Sequence, residues 1–137
     1  MNRHLVLDTG PLVALLNRRD KFHAWAKLQW AQAAPPLQTC EAVLSEACFL
    51  LRAAPGGREA VMELLRRRVV EVAFHLEGHL EAVARLLRKY ADVPMSLADA
   101  CLVRMTETLR DPVVLTTDAD FKIYRRHSRQ VVPCLLP

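Results

Sequence analysis

Long apolar runs are missing from this sequence. Spanning a bilayer takes roughly 18 uninterrupted apolar residues, and Arg3, His4, Asp8, Asn17 and Arg18 break up the N-terminal stretch. That stretch also lacks a basic leader followed by an apolar core and a small-residue cleavage site, so the expectation is a cytoplasmic protein with no membrane association. Cysteine is sparse and scattered: Cys40, Cys48, Cys101 and Cys134 form no CxxC pair. This argues against a zinc cage and against a dense disulfide framework. Cys48 and Cys101 fall within apolar helical patterns and read as small core residues. Internal repeats, low-complexity tracts and flexible linkers are also absent. With 137 residues and 52% hydrophobic content, the chain 1–137 reads as one domain with ample core material.

What is present is an alternation. Residues 4–7 read as a strand, and Gly10-Pro11 opens a helical run through Leu12 to Leu16, with Pro placed where its missing N–H is harmless. A helix from His23 to Ala33, with Trp25, Leu28 and Trp30 as apolar contacts, stops at Pro35-Pro36. A short strand, Leu37–Thr39, leads to a helix over Glu41–Arg52 carrying Val43, Leu44, Ala47, Phe49 and Leu50. Beyond the turn at Pro55-Gly56-Gly57 come a helix with Ala60, Val61, Leu64 and Leu65 and a β run, Val69–Ala73. Leu80, Val83, Ala84, Leu86 and Leu87 set a helical period within Leu76–Tyr90. Ser96 is a natural N-cap, with Asp99 completing a capping box. Val113–Leu115 reads as a further strand and Val131-Val132 as a last one. Strands alternating with helices predict an α/β fold, a mainly parallel central sheet covered by helices on both faces.

Two of the strands end in the same way. Leu5-Val6-Leu7 runs into Asp8-Thr9-Gly10-Pro11, and Val113-Val114-Leu115 runs into Thr116-Thr117-Asp118-Ala119-Asp120. Ligands of open α/β sheets bind outside the carboxyl ends of the strands, so Asp8 and Asp118 can meet in one crevice. Glu46 within a helix and Asp99 near a helix start are the other prominent acids. Each has a plain structural alternative: Asp8, Asp99 and Asp118 as helix caps, Glu46 as a surface acid. Carboxylates gathered together repel one another and resist desolvation, which calls for a cation. An all-oxygen donor set suits Mg2+ or Mn2+. Nineteen Lys and Arg against fifteen Asp and Glu give a net charge of +4, with Arg outnumbering Lys. That balance fits a phosphate-rich partner. Arg18-Arg19, Arg66-Arg67-Arg68 and Arg125-Arg126 are the candidate contacts, the last pair leading because it follows the acidic strand end closely.

The segments Leu7–Leu12, Glu46 in its helix, Met95–Ala100 and Leu115–Phe121 together resemble a PIN-domain ribonuclease, in particular the VapC-like toxins of prokaryotic toxin–antitoxin pairs. The resemblance covers nearly the full chain, with the order and rough spacing of all four acids. It implies a three-layer α/β/α domain, often dimeric, that cleaves RNA with a divalent metal. It also implies Asp8, Glu46, Asp99 and Asp118 as catalytic metal ligands, Asp120 as a further candidate ligand, and Thr9 and Thr117 in support. Gly10 stands where many members carry a hydroxyl or another small residue. A separately encoded antitoxin is the implied partner. Two other readings share these residues: a catalytically silent RNA-binding or regulatory module, and a metal-dependent phosphohydrolase of small molecules.

Overall fold

The computed structural model describes residues 3–137. Seven strands and six helices follow in chain order: β1 His4–Leu7, α1 Thr9–Leu16, α2 His23–Gln32, β2 Leu37–Thr39, α3 Glu41–Leu50, α4 Gly57–Arg66, β3 Val70–Val72, α5 Leu80–Lys89, α6 Leu97–Thr108, β4 Pro112–Leu115, β5 Arg125–Arg126, β6 Gln130–Val131 and β7 Cys134–Leu135. Single 3₁₀ turns occupy Leu76–His79 and Ala119–Lys122. The main sheet has five strands in the order β3-β2-β1-β4-β7, every pair parallel. From β1 the chain builds outward through β2 and β3, then crosses back to lay β4 on the other side of β1. The reversal makes the β1/β4 seam the topological switch point, where the connections leaving neighbouring strands diverge and open a crevice.

Strand side chains alternate between faces, and the two faces feed two cores. Val6 and Val114 point to the side packed by α5 and α6, joining Val83, Leu86, Leu102 and Val103. Leu7, Leu37, Val70 and Leu115 point to the other, joining Leu12, Ala47, Leu51 and Val61 from α1, α3 and the segment around α4. The two buried layers flank one sheet, the α/β/α sandwich anticipated from the alternation.

Several expectations need correction. Helix α1 begins at Thr9, ahead of the Gly-Pro pair, because the Asp8 carboxylate accepts the Thr9 N–H at 2.7 Å and caps it one residue earlier. The Leu76–Tyr90 helix is interrupted at His79, whose ring stacks on Phe74 with centroids 4.6 Å apart and whose Nδ1 accepts from Arg104 Nε at 3.0 Å. Leu28, Phe49, Leu50 and Leu80 are exposed, not core contacts. Cys101 is buried, whereas Cys48 lies only at the core's edge, and all four thiols are free. The last apolar pair is split: Val131 belongs to an antiparallel β5–β6 hairpin outside the main sheet, and the strand that closes the sheet edge is β7, which the sequence pattern missed.

The seam between β1 and β4 is tight. Leu7 registers with Leu115, and one further ladder bond, from Asp8 N–H to the Leu115 carbonyl at 3.0 Å, carries the pairing to the first acid. A methyl group on Gly10 would sit 2.0 Å from Thr117 Oγ1, 3.2 Å from its Cβ and 3.3 Å from its Cγ2. The first turn of α1 thus rests directly on Thr117, the second residue after β4, and anything larger than glycine must push the two apart. Gly10→Ala is expected to destabilise by about 1–3 kcal/mol, the usual cost of overpacking. Adding Thr117→Ala should recover most of that loss, read as the coupling in a urea-denaturation double-mutant cycle. Additive losses in the double variant would contradict the contact.

Candidate active site

Beyond the carboxyl ends of β1 and β4 lies a cavity of about 670 Å³. Its lining brings together Asp8, Glu46, Asp99, Asp118 and Asp120, the acids singled out in the sequence, with Thr9, Gly10 and Thr117. Six carboxylates, these five and Asp20, face a single ammonium, that of Lys21. In a chain of net charge +4 this is a strong local inversion of sign.

The acids are held in different ways. Asp8 follows β1 directly and is 7% exposed. Its Oδ1 takes the Thr9 N–H and its Oδ2 accepts from the Thr116 hydroxyl at 2.6 Å. The same Thr116 oxygen accepts the Asp118 N–H at 2.9 Å. One buried hydroxyl therefore ties the end of β1 to the end of β4 and fixes two acids relative to each other. Asp118 in turn caps the 3₁₀ turn through the Asp120 N–H at 2.9 Å. Asp99 completes the capping box of α6: its N–H donates to Ser96 Oγ at 3.0 Å, and its Oδ2 accepts the Ser96 N–H at 3.5 Å. That Oδ2 also accepts from the Tyr124 hydroxyl at 2.8 Å. Tyr124 is fully buried, set edge-on to Tyr90 and to Phe121 at 5.1 and 5.2 Å between centroids. The capping alternatives are thus all realised in this cluster, and they coexist with its convergence: a cap uses part of a carboxylate and leaves lone pairs for a ligand. Glu46, on the exposed face of α3, reaches the rim.

Burial dominates the electrostatics. Desolvation, against the Thr116 and Thr9 hydrogen bonds and with smaller repulsion from Asp99 and Asp118, pushes the Asp8 carboxyl up to about 6. Burial also raises Asp99, opposed by its bond from Tyr124. The Tyr124 phenol is pushed up by burial and by the Asp99 carboxylate, so it remains a donor.

The donor set suits a hard cation. Every candidate ligand is oxygen, and among the described residues the buried Thr9 hydroxyl on the cavity wall has no hydrogen-bond partner. Among those residues no three His, Cys, Asp or Glu side chains stand as a group that could hold a metal ion, so no ready-made ligand set is present. Mg2+ does not ask for one, since it usually binds through one or two carboxylates and keeps several waters.

Arg125 and Arg126 do not line this cavity. Arg125 Nη1 donates to the Lys122, Ile123 and Tyr124 carbonyls at 2.8, 3.2 and 2.9 Å, and Arg126 Nη2 donates to the Thr106 carbonyl. Main-chain acceptors at the end of α6 and in the turn after β4 engage one nitrogen of each guanidinium, in place of the free phosphate forks expected of them. Sequence reasoning missed Lys21, Asp20 and Ser96 on the lining, and the positioning hydroxyls of Thr116 and Tyr124. For Thr116 the strand-end Thr-Thr pair was a visible signal, but only register tells which hydroxyl faces Asp8.

Asp8 is protonated more readily in the folded chain than in the unfolded one. Its contribution to stability is therefore fully present below about pH 4 and is lost as the pH rises through about 6, an effect on the order of 3 kcal/mol at most. Urea unfolding in EDTA between pH 4 and 7 should show a downward slope in the wild type that flattens in Asp8→Asn. An unchanged slope would contradict the burial of an ionisable carboxyl there.

Comparisons with known proteins agree with this fold. The chain is 27% identical over 131 residues to ribonuclease VapC26 of Mycobacterium tuberculosis, covering 94% of this chain and 93% of that protein. Its fold superposes with a TM-score of 0.71 on the crystal structure of VapC20 from the same organism, a sarcin-ricin loop cleaving toxin, at 28% identity over 87% of this chain and 93% of that one. The PIN domain family model matches residues 5–126. This span runs from β1 through β5 and takes in every acid of the cavity, and the chain belongs to the PIN domain family.

Proposed function

We propose that this protein is a divalent-metal-dependent endoribonuclease that hydrolyses RNA phosphodiester bonds, the toxin of a toxin–antitoxin pair. The observation that carries this reading is the acidic cavity at the β1/β4 switch point, in a chain otherwise rich in arginine. Six carboxylates would repel a phosphate, so a polyanionic substrate is admitted only with positive charge between. The names of VapC26 as a ribonuclease and VapC20 as an RNA-loop-cleaving toxin support RNA as that substrate.

Asp8, Asp99, Asp118 and Glu46 are the proposed ligands of Mg2+ or Mn2+, with Asp120 as a further one. Such a cation, when bound, lowers the pKa of its water and neutralises charge developing on the phosphate. The rest falls to the chain itself. Thr116 keeps Asp8 aimed and spaced from Asp118, and Tyr124 holds Oδ2 of Asp99, which leaves Oδ1 for a ligand. A carboxylate of the cluster takes the proton of the attacking water. Thr9 and Thr117 supply hydroxyls on the wall, and the Lys21 ammonium adds positive charge to the cavity lining.

The expected partners are RNA, a separately encoded antitoxin that blocks the acids, and a second copy of the chain. No helix among the described residues is long and apolar enough to cross a membrane, which accords with the cytoplasmic site of action proposed here.

Cleavage of a mixed RNA pool by purified, antitoxin-free protein with Mn2+, Mg2+ or EDTA is the test. Cleavage should require metal and disappear in Asp8→Asn and Asp99→Asn, while Thr116→Val, which removes the hydroxyl that holds Asp8 and Asp118 but no ligand itself, should lose roughly 10–100-fold. Folded protein that cleaves no RNA with any metal contradicts the reading and favours the silent RNA-binding module. Turnover of a simple phosphomonoester without RNA cleavage would favour the small-molecule phosphohydrolase.

A further inference from the structure

We infer that a second cavity, beside the acidic one, is a phosphate subsite that grips the RNA strand next to the scissile bond; the inference rests on the ribonuclease reading above. This cavity, of about 740 Å³, lies between the loop after α1 and the end of α3, with Asn17, Arg18 and Arg19 on one side and Leu50, Ala53 and Pro55 on the other. Leu50 lines both cavities, and the loop that contributes Arg18 and Arg19 to one contributes Asp20, Lys21 and Phe22 to the other. The two are adjoining stations on one surface.

Their charges are opposite. The second cavity has two guanidiniums and no carboxylate in its lining. Both arginines are exposed, and among the described residues neither takes part in an ion pair. In the other arginine clusters Arg66 and Arg67 share Glu63, and Arg125 and Arg126 donate to carbonyls. Of the arginine clusters in the sequence, Arg18-Arg19 alone adjoins the site with its guanidiniums uncommitted.

The loop is held in shape. Asn17 Oδ1 accepts the Arg19 N–H at 3.1 Å, Asp20 Oδ1 accepts the Phe22 N–H at 2.8 Å, and His23 Nδ1 is 2.7 Å from the Ala14 carbonyl oxygen. These side-chain turns fix the backbone and leave the arginine side chains to a ligand. Arg presents a planar fork that matches phosphate oxygens.

Single-stranded RNA fits better than an acidic protein segment because of what stands next to Leu50. Phe49, which precedes Leu50 on α3 and lines neither cavity, is 61% exposed, with the Arg52 guanidinium over one face of its ring, 4.0 Å from the centroid. An exposed ring beside a basic track is the surface on which unpaired bases stack. In this arrangement the scissile phosphate meets the acids through the cation, the flanking phosphates meet Arg18 and Arg19, and a base stacks at Phe49.

The experiment is cleavage of an oligoribonucleotide carrying a sequence that the wild type cuts, over a series of KCl concentrations, by wild type, Arg18→Ala/Arg19→Ala, Arg18→Lys/Arg19→Lys and Phe49→Ala. The double alanine variant should raise KM about tenfold, move kcat much less, and make the slope of log kcat/KM against log salt shallower by up to about 1.4, the value for two single-strand phosphate contacts. The lysine pair should restore the slope. Phe49→Ala should raise KM without changing the slope. Unchanged slope and KM in the alanine pair, while the wild type cleaves, would overturn the subsite and leave the ribonuclease reading standing. A wild type that cleaves no RNA overturns both. An alanine pair that cleaves normally but no longer binds an Asp/Glu-rich peptide assigns the cavity to a protein partner and overturns the proposal.

Discussion

The structure turns on holding like charges together at the end of one strand seam. Asp8 and Asp118 are brought to adjacent strand ends by the parallel pairing of β1 with β4, and a single buried hydroxyl, that of Thr116, accepts from one side and donates to the other. Without it Asp8 would lose its partner on Oδ2 in a site where burial already disfavours its charge. The core layers on both faces of the sheet supply the stability against which this unfavourable gathering is set. Fully buried Leu7 and Leu115 register with each other one residue before Asp8 and three before Asp118, so the packed seam reaches the base of the acidic cavity.

Asp99 is brought in by a different device. Its helix starts with a reciprocal capping box, which sets the backbone, while Tyr124 sets the side chain. Tyr124 is itself wedged against Tyr90 and Phe121, and the Tyr90 hydroxyl accepts the Arg125 N–H at 2.8 Å. A chain of buried rings therefore links the loop after β4 to the ends of α5 and α6 and leaves Asp99 little freedom. Asp8, Asp118 and Asp99 are thus each fixed by hydrogen bonds with neighbouring hydroxyls before any ligand arrives.

Much of this was legible in the sequence, for reasons that differ from residue to residue. Strand ends followed by Thr and Asp are a local signal, and a parallel sheet converts that signal into proximity; Asp8 and Asp118 could be found that way. Asp99 could be read as a cap, and the cap is real, but nothing local reveals that Tyr124, 25 residues further on, reaches its Oδ2. The choice between Thr116 and Thr117 depends on strand register: Thr116 bonds Asp8, whereas Thr117 packs on Gly10. Arginine clusters misled because charge runs carry no information about acceptors. Arg125-Arg126 stood closest to an acid in sequence, yet main-chain carbonyls engage both guanidiniums, and the polar loop bearing Lys21 had no periodicity to draw notice. Phe49 and Leu50 are exposed although they are as apolar as the buried Val43 and Ala47 of the same helix, because apolar content does not show where a helix leaves the sheet.

The central claim is that these carboxylates form one binding site for a hard divalent cation, with Asp8 at its heart. Titration of the metal-free protein with Mn2+, followed by loss of the free-ion electron paramagnetic resonance signal at pH 7.5 and at pH 5, tests it most directly. The account predicts saturable binding at pH 7.5 that weakens at pH 5, where an Asp8 carboxyl titrating at about 6 is largely protonated, and that is lost in Asp8→Asn. Binding that is absent at both values, or equally strong in Asp8→Asn, would contradict it.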